Sequence, residues 1–224
     1  MSKMLNCFGR VNALVNSNGV VLLETSTPGT YNLDLGNGIY RIALIGGGGG
    51  GGKTYWATGH TILYRYAKGG VAATADLYVD VPLDCTVTIT VGSGGSSDSR
   101  TSGADTTATG GSASSIVGIP NLVLNCGPGT AGNISSQTSH PGTMGALTLS
   151  GDAILRVDMN SNEHPITSTA TSGTRSNTNW PTNTALGRGG GCSAGTGGTI
   201  WGGGNGYVLI RYYNRNYFNL DDME

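Results

Sequence analysis

Charged side chains are scarce in this sequence, which has 12 Lys and Arg, 13 Asp and Glu and a net charge of −1 among 224 residues. They make up 11% of the chain, whereas ordinary globular proteins carry roughly 25%. A nearly neutral chain lacks the basic footprint that nucleic acids and acidic membranes require. We therefore expect no nucleic-acid partner.

Long apolar runs are also absent. No stretch approaches the roughly 18 apolar residues that cross a bilayer, and no apolar signal segment follows Met1 to Phe8. We expect no membrane insertion, no signal peptide and synthesis in a cytosol.

The four cysteines are far apart, without C-x-x-C spacing, so we expect free thiols, with late disulfides as the alternative. They are Cys7, Cys85, Cys126 and Cys192.

Glycine is the abundant residue, at 40 of 224 positions. Together with the many Ser, Thr and Asn residues it disfavours helices, and the absence of a Gly-X-Y repeat excludes collagen. Short alternating runs between turn residues predict an all-β, β-sandwich-like domain with long Ser/Thr/Gly loops. The predicted strands cover residues 11–15, 19–24, 30–35, 39–45, 72–81, 85–91, 113–117, 122–125, 146–158 and 207–213, with 72–81 and 85–91 forming a hairpin.

Seven consecutive glycines follow the strand of residues 39–45. Glycine loses more backbone entropy on ordering than any other residue, so an ordered tract must recover that loss through close contacts. Polyproline-II-type segments packed side by side can bond laterally, and only glycine lets them approach closely enough. We predict that this structural tract packs as a layer against the β-sheet. Its members are Gly46, Gly47, Gly48, Gly49, Gly50, Gly51 and Gly52.

The same glycines match a second pattern. Gly47, Gly52, Lys53 and Thr54 have the spacing of a phosphate-binding loop, so a nucleotide-binding enzyme using Gly47–Thr54 is the alternative of another class. Such a loop needs a helix after it, whose N-terminus helps to hold the phosphate. The following residues, 55–62, contain aromatic and β-branched side chains and an early glycine, which disfavour a helix.

The order of motifs carries a resemblance. Polyglycine is followed by "GGVAATADLYVDVPLDCTVTITVGSGG", "GGSASSIVG", "NLVLNCGPGTAG" and a C-terminal "WGGGNGYVLIRYY". This order resembles the glycine-rich domain found at the ends of bacteriophage tail fibres and related virion proteins, over residues 39–213. A more distant similarity is to glycine-rich adhesin tips with stacked polyglycine helices. The resemblance implies a virion location and an oligomer, with a trimer favoured.

Aromatic residues near the glycine tracts are the candidate binding surface, because aromatics on rigid loops suit recognition of sugars or proteins. Packing against the glycine layer or a subunit interface is the alternative. We predict no catalytic centre, no metal site and no cofactor, because no acid–base or ligand spacing stands out. The candidate surface residues are Tyr55, Trp56, Tyr64, Tyr66, Trp180 and Trp201.

These observations predict a non-enzymatic bacteriophage virion protein, a tail fibre or fibre-tip component that binds a host receptor or a neighbouring virion protein. A capsid decoration protein is the alternative. Residues 1–38 are predicted to be an N-terminal β-meander for attachment, 39–213 the glycine-rich β-domain and 214–224 a polar tail. The expected partners are other virion proteins, further copies of the chain, and a glycan or outer-membrane protein of the host.

Overall fold

The computed structural model of the chain describes residues 19–58, 61–101, 103–160, 186–190 and 200–218. This part is almost entirely β-structure, which confirms the predicted fold class. A single short 3-10 turn, Arg215–Tyr217, follows the last strand in the described part of the chain. The strands are β1 (Val20–Thr25), β2 (Gly29–Leu35), β3 (Gly38–Ile45), β4 (Gly52–Thr58), β5 (Thr61–Ala67), β6 (Thr74–Val81), β7 (Cys85–Val91), β8 (Asp98–Ser99), β9 (Ser114–Val117), β10 (Val123–Cys126), β11 (Asn133–Ser135), β12 (Thr138–His140), β13 (Leu147–Ser150), β14 (Ile154–Asn160) and β15 (Tyr207–Tyr213).

Two five-stranded antiparallel sheets face each other as a sandwich. Sheet 1 has the strand order β1-β15-β3-β6-β14, and sheet 2 has the order β13-β10-β9-β7-β2. Alternate apolar residues of both sheets point into one shared core, as the two-residue period of a strand requires. The fully buried members of this core include Tyr40, Ile42, Leu44, Leu77, Val79, Val81, Val87, Ile89 and Ile210.

The strands of the sandwich were predicted closely, except that residues 146–158 contain two strands, β13 and β14, rather than one. The strands β4 and β5 were not predicted, and the pairing of neighbouring strands was predicted wrongly. The expected hairpin of residues 72–81 and 85–91 is wrong, because β6 pairs with β3 and β14 in sheet 1 while β7 pairs with β2 and β9 in sheet 2. β1, β2 and β3 also do not pair with one another, so they form no meander. Alternation identifies a strand but carries no information about its partner. The predicted strand at residues 11–15 lies outside the described residues.

Between the sandwich and the remaining strands, eight extended segments run side by side. We call them the glycine bundle. None of them is a strand or a helix, and each adjoins a strand or a tight turn. The segments are residues 46–51, 68–73, 92–97, 109–113, 127–132, 141–146, 187–190 and 201–206.

The segment 46–51 occupies the centre of this bundle. Its consecutive amides donate hydrogen bonds to three neighbouring segments in turn. Every third amide donates to the same segment, and three residues per turn is the period of a polyproline-II helix. Its carbonyl oxygens accept from three further segments, at Gly95, Gly129 and Gly190, over 2.8, 2.9 and 2.6 Å. In chain order from Gly46, the six amides donate to the carbonyl oxygens of Ala73, Ser112, Gly204, Gly70, Thr109 and Trp201, at 3.1, 2.9, 2.8, 2.9, 2.9 and 3.4 Å.

The bundle leaves no room for side chains at its centre. A Cβ atom built on Gly48 would lie 1.9 Å from the carbonyl oxygen of Arg188, and one on Gly49 would lie 1.8 Å from that of Thr130. These contacts are with backbone, which cannot move aside as the end of a side chain can. Hydrogen bonding between closely spaced backbones therefore satisfies the buried amides, as the sequence predicted.

A bidentate ion pair is buried on the face of sheet 1 that points away from the shared core. Arg41 donates through Nε and Nη2 to the two carboxylate oxygens of Asp76, at 2.9 and 2.6 Å. The side chains are 8% and 1% exposed. The hydrogen bonds to Asp76 raise the pKa of Arg41 above its ordinary value, so the guanidinium is charged at every relevant pH. This pair joins the two central strands β3 and β6.

Candidate functional site

The glycine bundle brings several loops together at one end of the molecule. Segments 92–97 and 127–132 run parallel to the central segment. In segment 127–132, for example, the Gly129 amide donates to Gly47 and the Gly132 amide donates to Gly50, so the hydrogen bonds move three residues forward along both chains. The returning segments run antiparallel. The chain therefore leaves the sandwich through one bundle segment, forms a loop or hairpin, and comes back through another segment. We call each such loop or hairpin an excursion. We call the far end of the bundle the distal end and the opposite end of the sandwich the base.

Three excursions are described at the distal end. The hairpin of β4 and β5 connects the central segment to segment 68–73, and its two strands pair from Gly52 to Thr58. β8 lies parallel to β4, with Asp98 opposite Gly52. The short hairpin of β11 and β12 packs against β4 and β5. The loop of residues 191–199, between two bundle segments, lies outside the described residues.

Side-chain hydrogen bonds fix these excursions to one another. The Thr106 hydroxyl accepts from the Ile134 amide at 2.8 Å and donates to Asn133 Oδ1 at 3.1 Å. The Ala108 amide donates to the same Asn133 oxygen at 2.8 Å. Because Thr106 and Ile134 are buried, the loop after β8 and the strand β11 form one connected layer rather than two independent loops.

Asp98 organises the loop between β8 and Thr107. Its carboxylate accepts from Arg100 Nε and from the Thr107 amide, each at 2.7 Å. Burial acts to raise the pKa of Asp98, but the hydrogen bonds from Thr107 and Arg100 outweigh it and hold that pKa below its usual range. The Arg100 side chain is 47% exposed, so the ion pair orders the loop and adds little to the stability of the fold.

The turn between β11 and β12 has a conformation that its residues do not favour. Ser136 and Gln137 have φ values of 46° and 67°, in the left-handed region that side chains other than glycine rarely adopt. The Asp105 carboxylate holds this turn, accepting from the Ser136 amide at 2.9 Å.

We expect the double substitution Ser136→Asn with Gln137→Gly to stabilise the protein, because Asn-Gly is the preferred pair for a two-residue turn with two positive φ angles. The expected gain is about 1 kcal/mol in the free energy of unfolding. Urea denaturation measures it. Gln137→Ala is the control and should give no gain, since alanine is also disfavoured at positive φ. A double variant that is less stable than the parent would contradict the turn assignment.

Three predicted surface residues come together on the β4–β5 hairpin with a lysine. Lys53 pairs in register with Tyr66, and Tyr55 with Tyr64, which puts all four side chains on one face. The rings of Tyr64 and Tyr66 stack with centroids 6.2 Å apart and planes at 16°, and Tyr55 lies 5.8 Å from Tyr64. Lys53 Nζ lies 5.4 Å and 5.9 Å from the centroids of Tyr64 and Tyr66. We call these four residues the tyrosine face.

The other predicted aromatics are not gathered there. Trp56 is in β4, in register with Leu63. Trp201 begins the segment 201–206 near its distal end; its side chain is 42% exposed and its carbonyl oxygen accepts from the Gly51 amide. Trp180 lies outside the described residues. The sequence suggested a role for Lys53 only in a phosphate loop. Its register with the tyrosines, which the sequence does not give, places it on their face.

The glycines do not form a phosphate-binding loop. The chain after Gly51 is the strand β4, whereas a phosphate loop requires a helix there. The amides of Gly46 to Gly51 each donate to a backbone carbonyl, so they are not available to hold phosphate oxygens. The interpretation of Gly47–Thr54 as a nucleotide site is therefore wrong for this segment.

No protein-family model matches the sequence, and no curated protein matches it. Within the described ranges, no cluster of three or more His, Cys, Asp or Glu side chains is arranged to hold a metal ion. The part of the chain covered by the structure also contains no helix long and apolar enough to cross a membrane.

Proposed function

We propose that this chain is a non-enzymatic bacteriophage virion protein, a tail fibre or fibre-tip component whose distal end binds a host receptor. The observation that supports this most is the difference between the two ends of the molecule. A hydrogen-bonded glycine bundle holds several loops at one end, as recognition sites on a rigid scaffold require. The chain enters and leaves the described fold at the other end.

The base is the suitable place for attachment. The chain enters β1 at Val20, opposite Tyr212, and β15 ends at Tyr213, opposite Ile39. Both positions are at the end of sheet 1 away from the glycine bundle, which begins after Ile45. The described chain therefore begins, at residue 19, on the side opposite the distal loops. Because residues 20–35 form β1 and β2 within the sandwich, the predicted attachment region 1–38 is reduced to residues 1–18. On this proposal they join the protein to its neighbours in the particle and direct the loops outward.

The proposal includes an oligomer, with a trimer favoured, and sheet 2 offers a contact surface for a second copy. Its outer face on β2 and β7 is exposed and carries one charge, Asp34, which accepts from the Thr86 hydroxyl at 2.7 Å. Val117 and Val123 on the same sheet are 65% and 52% exposed. A face with a single charge can pack against a neighbouring copy with little like-charge repulsion.

Localisation in the particle tests the proposal first. Mass spectrometry of purified phage should detect the chain, and immunogold labelling should place it at the end of a fibre. Deleting residues 1–18 should remove it from the particle and leave the strands β1 to β15 intact. Absence of the full-length chain from particles would overturn the proposal, and particles that still incorporate the truncated chain would overturn the attachment assignment.

Competition for adsorption tests the binding role. The purified full-length protein should reduce adsorption of particles to the host bacterium. Trp201→Arg at the distal end should weaken this competition by roughly tenfold or more, since exposed tryptophans often dominate binding. Leu83→Arg is the matched control, because Leu83 is 70% exposed at the base. Equal loss in both variants, or no competition by the parent protein, would contradict distal binding.

A further inference from the structure

The tyrosine face, Lys53, Tyr55, Tyr64 and Tyr66, combines aromatic rings, hydroxyl groups and a positive charge on one side of a hairpin. All four side chains are partly exposed. The rings adjoin each other, and the ammonium group lies within about 6 Å of two of them, the range of a cation–π contact. The contact keeps the Lys53 charge beside the rings, so a ligand that covers the rings also meets the charge.

The hairpin is the basic part of a nearly neutral chain. Residues 52–68 contain Lys53, Arg65 and Lys68 but no Asp or Glu, while the whole chain has a net charge of −1. Lys53 is on the tyrosine face, whereas Arg65 pairs with Thr54 on the opposite face of the hairpin. The neighbouring carboxylate of Asp98 is bonded to Arg100 and Thr107. The local charge therefore favours an anionic ligand over a neutral or cationic one.

The chemistry of the face indicates which kind of anion fits. The ring of a pyranose sugar has an apolar C–H side that stacks on an aromatic ring and polar hydroxyls at its rim that bond to phenol groups. A carboxylate on such a sugar would pair with Lys53. Nucleic acid fits less well, because its binding depends on several basic contacts along the phosphate backbone, and this chain has no extended basic surface.

The face is held rigidly, which reduces the entropy lost on binding. Both strands of the hairpin run directly into glycine-bundle segments. On the opposite side of the hairpin, Thr54 and Ala67 are fully buried. The Ser139 hydroxyl of β12 donates to the carbonyl oxygen of Tyr66. The rings are thus positioned before any ligand arrives.

We propose that the tyrosine face binds a carboxylated pyranose saccharide, with the tyrosines stacking on the sugar ring and Lys53 pairing with its carboxylate. This proposal rests on the proposed function, which places the saccharide on the bacterial surface. It adds the ligand class and the residues that recognise it.

Calorimetric titration of the full-length protein with oligosaccharides of polygalacturonate and alginate, and with neutral dextran of equal length, tests this inference. We expect binding of the two carboxylated saccharides, weakened by salt, and at least tenfold weaker binding of dextran. Lys53→Met should remove most of that preference. Tyr64→Ser should weaken binding of the carboxylated saccharides by tenfold or more, and Tyr64→Phe should retain the stacking and most of the affinity.

Arg215→Gln is the control for charge, since it removes one positive charge at the base. It should leave the affinity within about twofold. The folded state of every variant is checked by thermal denaturation, and Tyr64→Phe keeps the test valid if Tyr64→Ser fails to fold. Equal affinity for dextran, no binding of either carboxylated saccharide, or binding of an acidic peptide or DNA in their place would overturn the inference.

The outcomes separate the two proposals. If no saccharide binds but the protein still competes with particles for adsorption, the ligand class is wrong and the attachment function stands. If carboxylated saccharides bind through Lys53 but the chain is absent from particles, the binding site stands and the virion function fails.

Discussion

Replacing Gly49 by alanine is expected to destabilise the protein by more than about 4 kcal/mol, a value that only the severest single substitutions reach. The added Cβ atom would lie 1.8 Å from the carbonyl oxygen of Thr130 and 2.4 Å from its carbonyl carbon. Relief requires two backbone segments to separate, which breaks their hydrogen bonds. Since domains have a total stability of about 5–15 kcal/mol, much of the purified variant should be unfolded or insoluble. Urea denaturation measures the effect.

Gly110→Ala is the matched control within the same layer of glycines. Gly110 is exposed, and the nearest atom to an added Cβ atom there is the carbonyl oxygen of Gly129 at 3.3 Å. A shift of a few tenths of an ångström accommodates the methyl group, so we expect a change of no more than about 1 kcal/mol. Similar losses at both positions would mean that close backbone packing is not what selects glycine at position 49.

The second large effect is expected at the buried ion pair. Asp76→Ala should destabilise the protein by about 3–5 kcal/mol, because it leaves the Arg41 guanidinium buried and uncompensated. Combining Arg41→Met with Asp76→Leu should recover most of the loss, since an apolar pair of similar volume needs no desolvation of charge. Chemical denaturation of the single and double variants measures the coupling between the two positions.

The exposed pair of Arg215 and Asp80 is the comparison. Its side chains are 44% and 32% exposed, so Arg215→Gln should change the free energy of unfolding by no more than about 1 kcal/mol. A loss at Asp76 as small as at Arg215, or a double variant as unstable as Asp76→Ala, would show that burial of the charges does not control their contribution.

Local sequence patterns predicted the strands of the sandwich closely. The alternation of Val87, Ile89 and Val91 marked β7, and residues 207–213 coincide with β15. The glycine tract predicted lateral bonding because few other arrangements satisfy so many amides. The partners of each strand were not predictable, since pairing across sheets joins residues far apart in the chain. β6 and β7, adjacent in sequence, lie in opposite layers.

The distal site was predicted only in part. Tyr55, Tyr64 and Tyr66 were singled out by their position between glycine tracts, but their common face depends on the register of β4 and β5. β11 and β12 have three residues each and no apolar alternation, so nothing local marks them. They form because bundle segments on both sides hold their ends together.

Amide hydrogen exchange at Gly46 to Gly50 tests the central claim of this account, that the glycines form a bonded core rather than a loop. If each amide is bonded to a neighbouring backbone as described, these five positions should exchange at least about 10³-fold more slowly than glycine in an unstructured chain, close to the limit set by global unfolding. The amides of β7 in the sandwich provide the reference. Exchange at the rate of unstructured glycine, with β7 still protected, would contradict the claim.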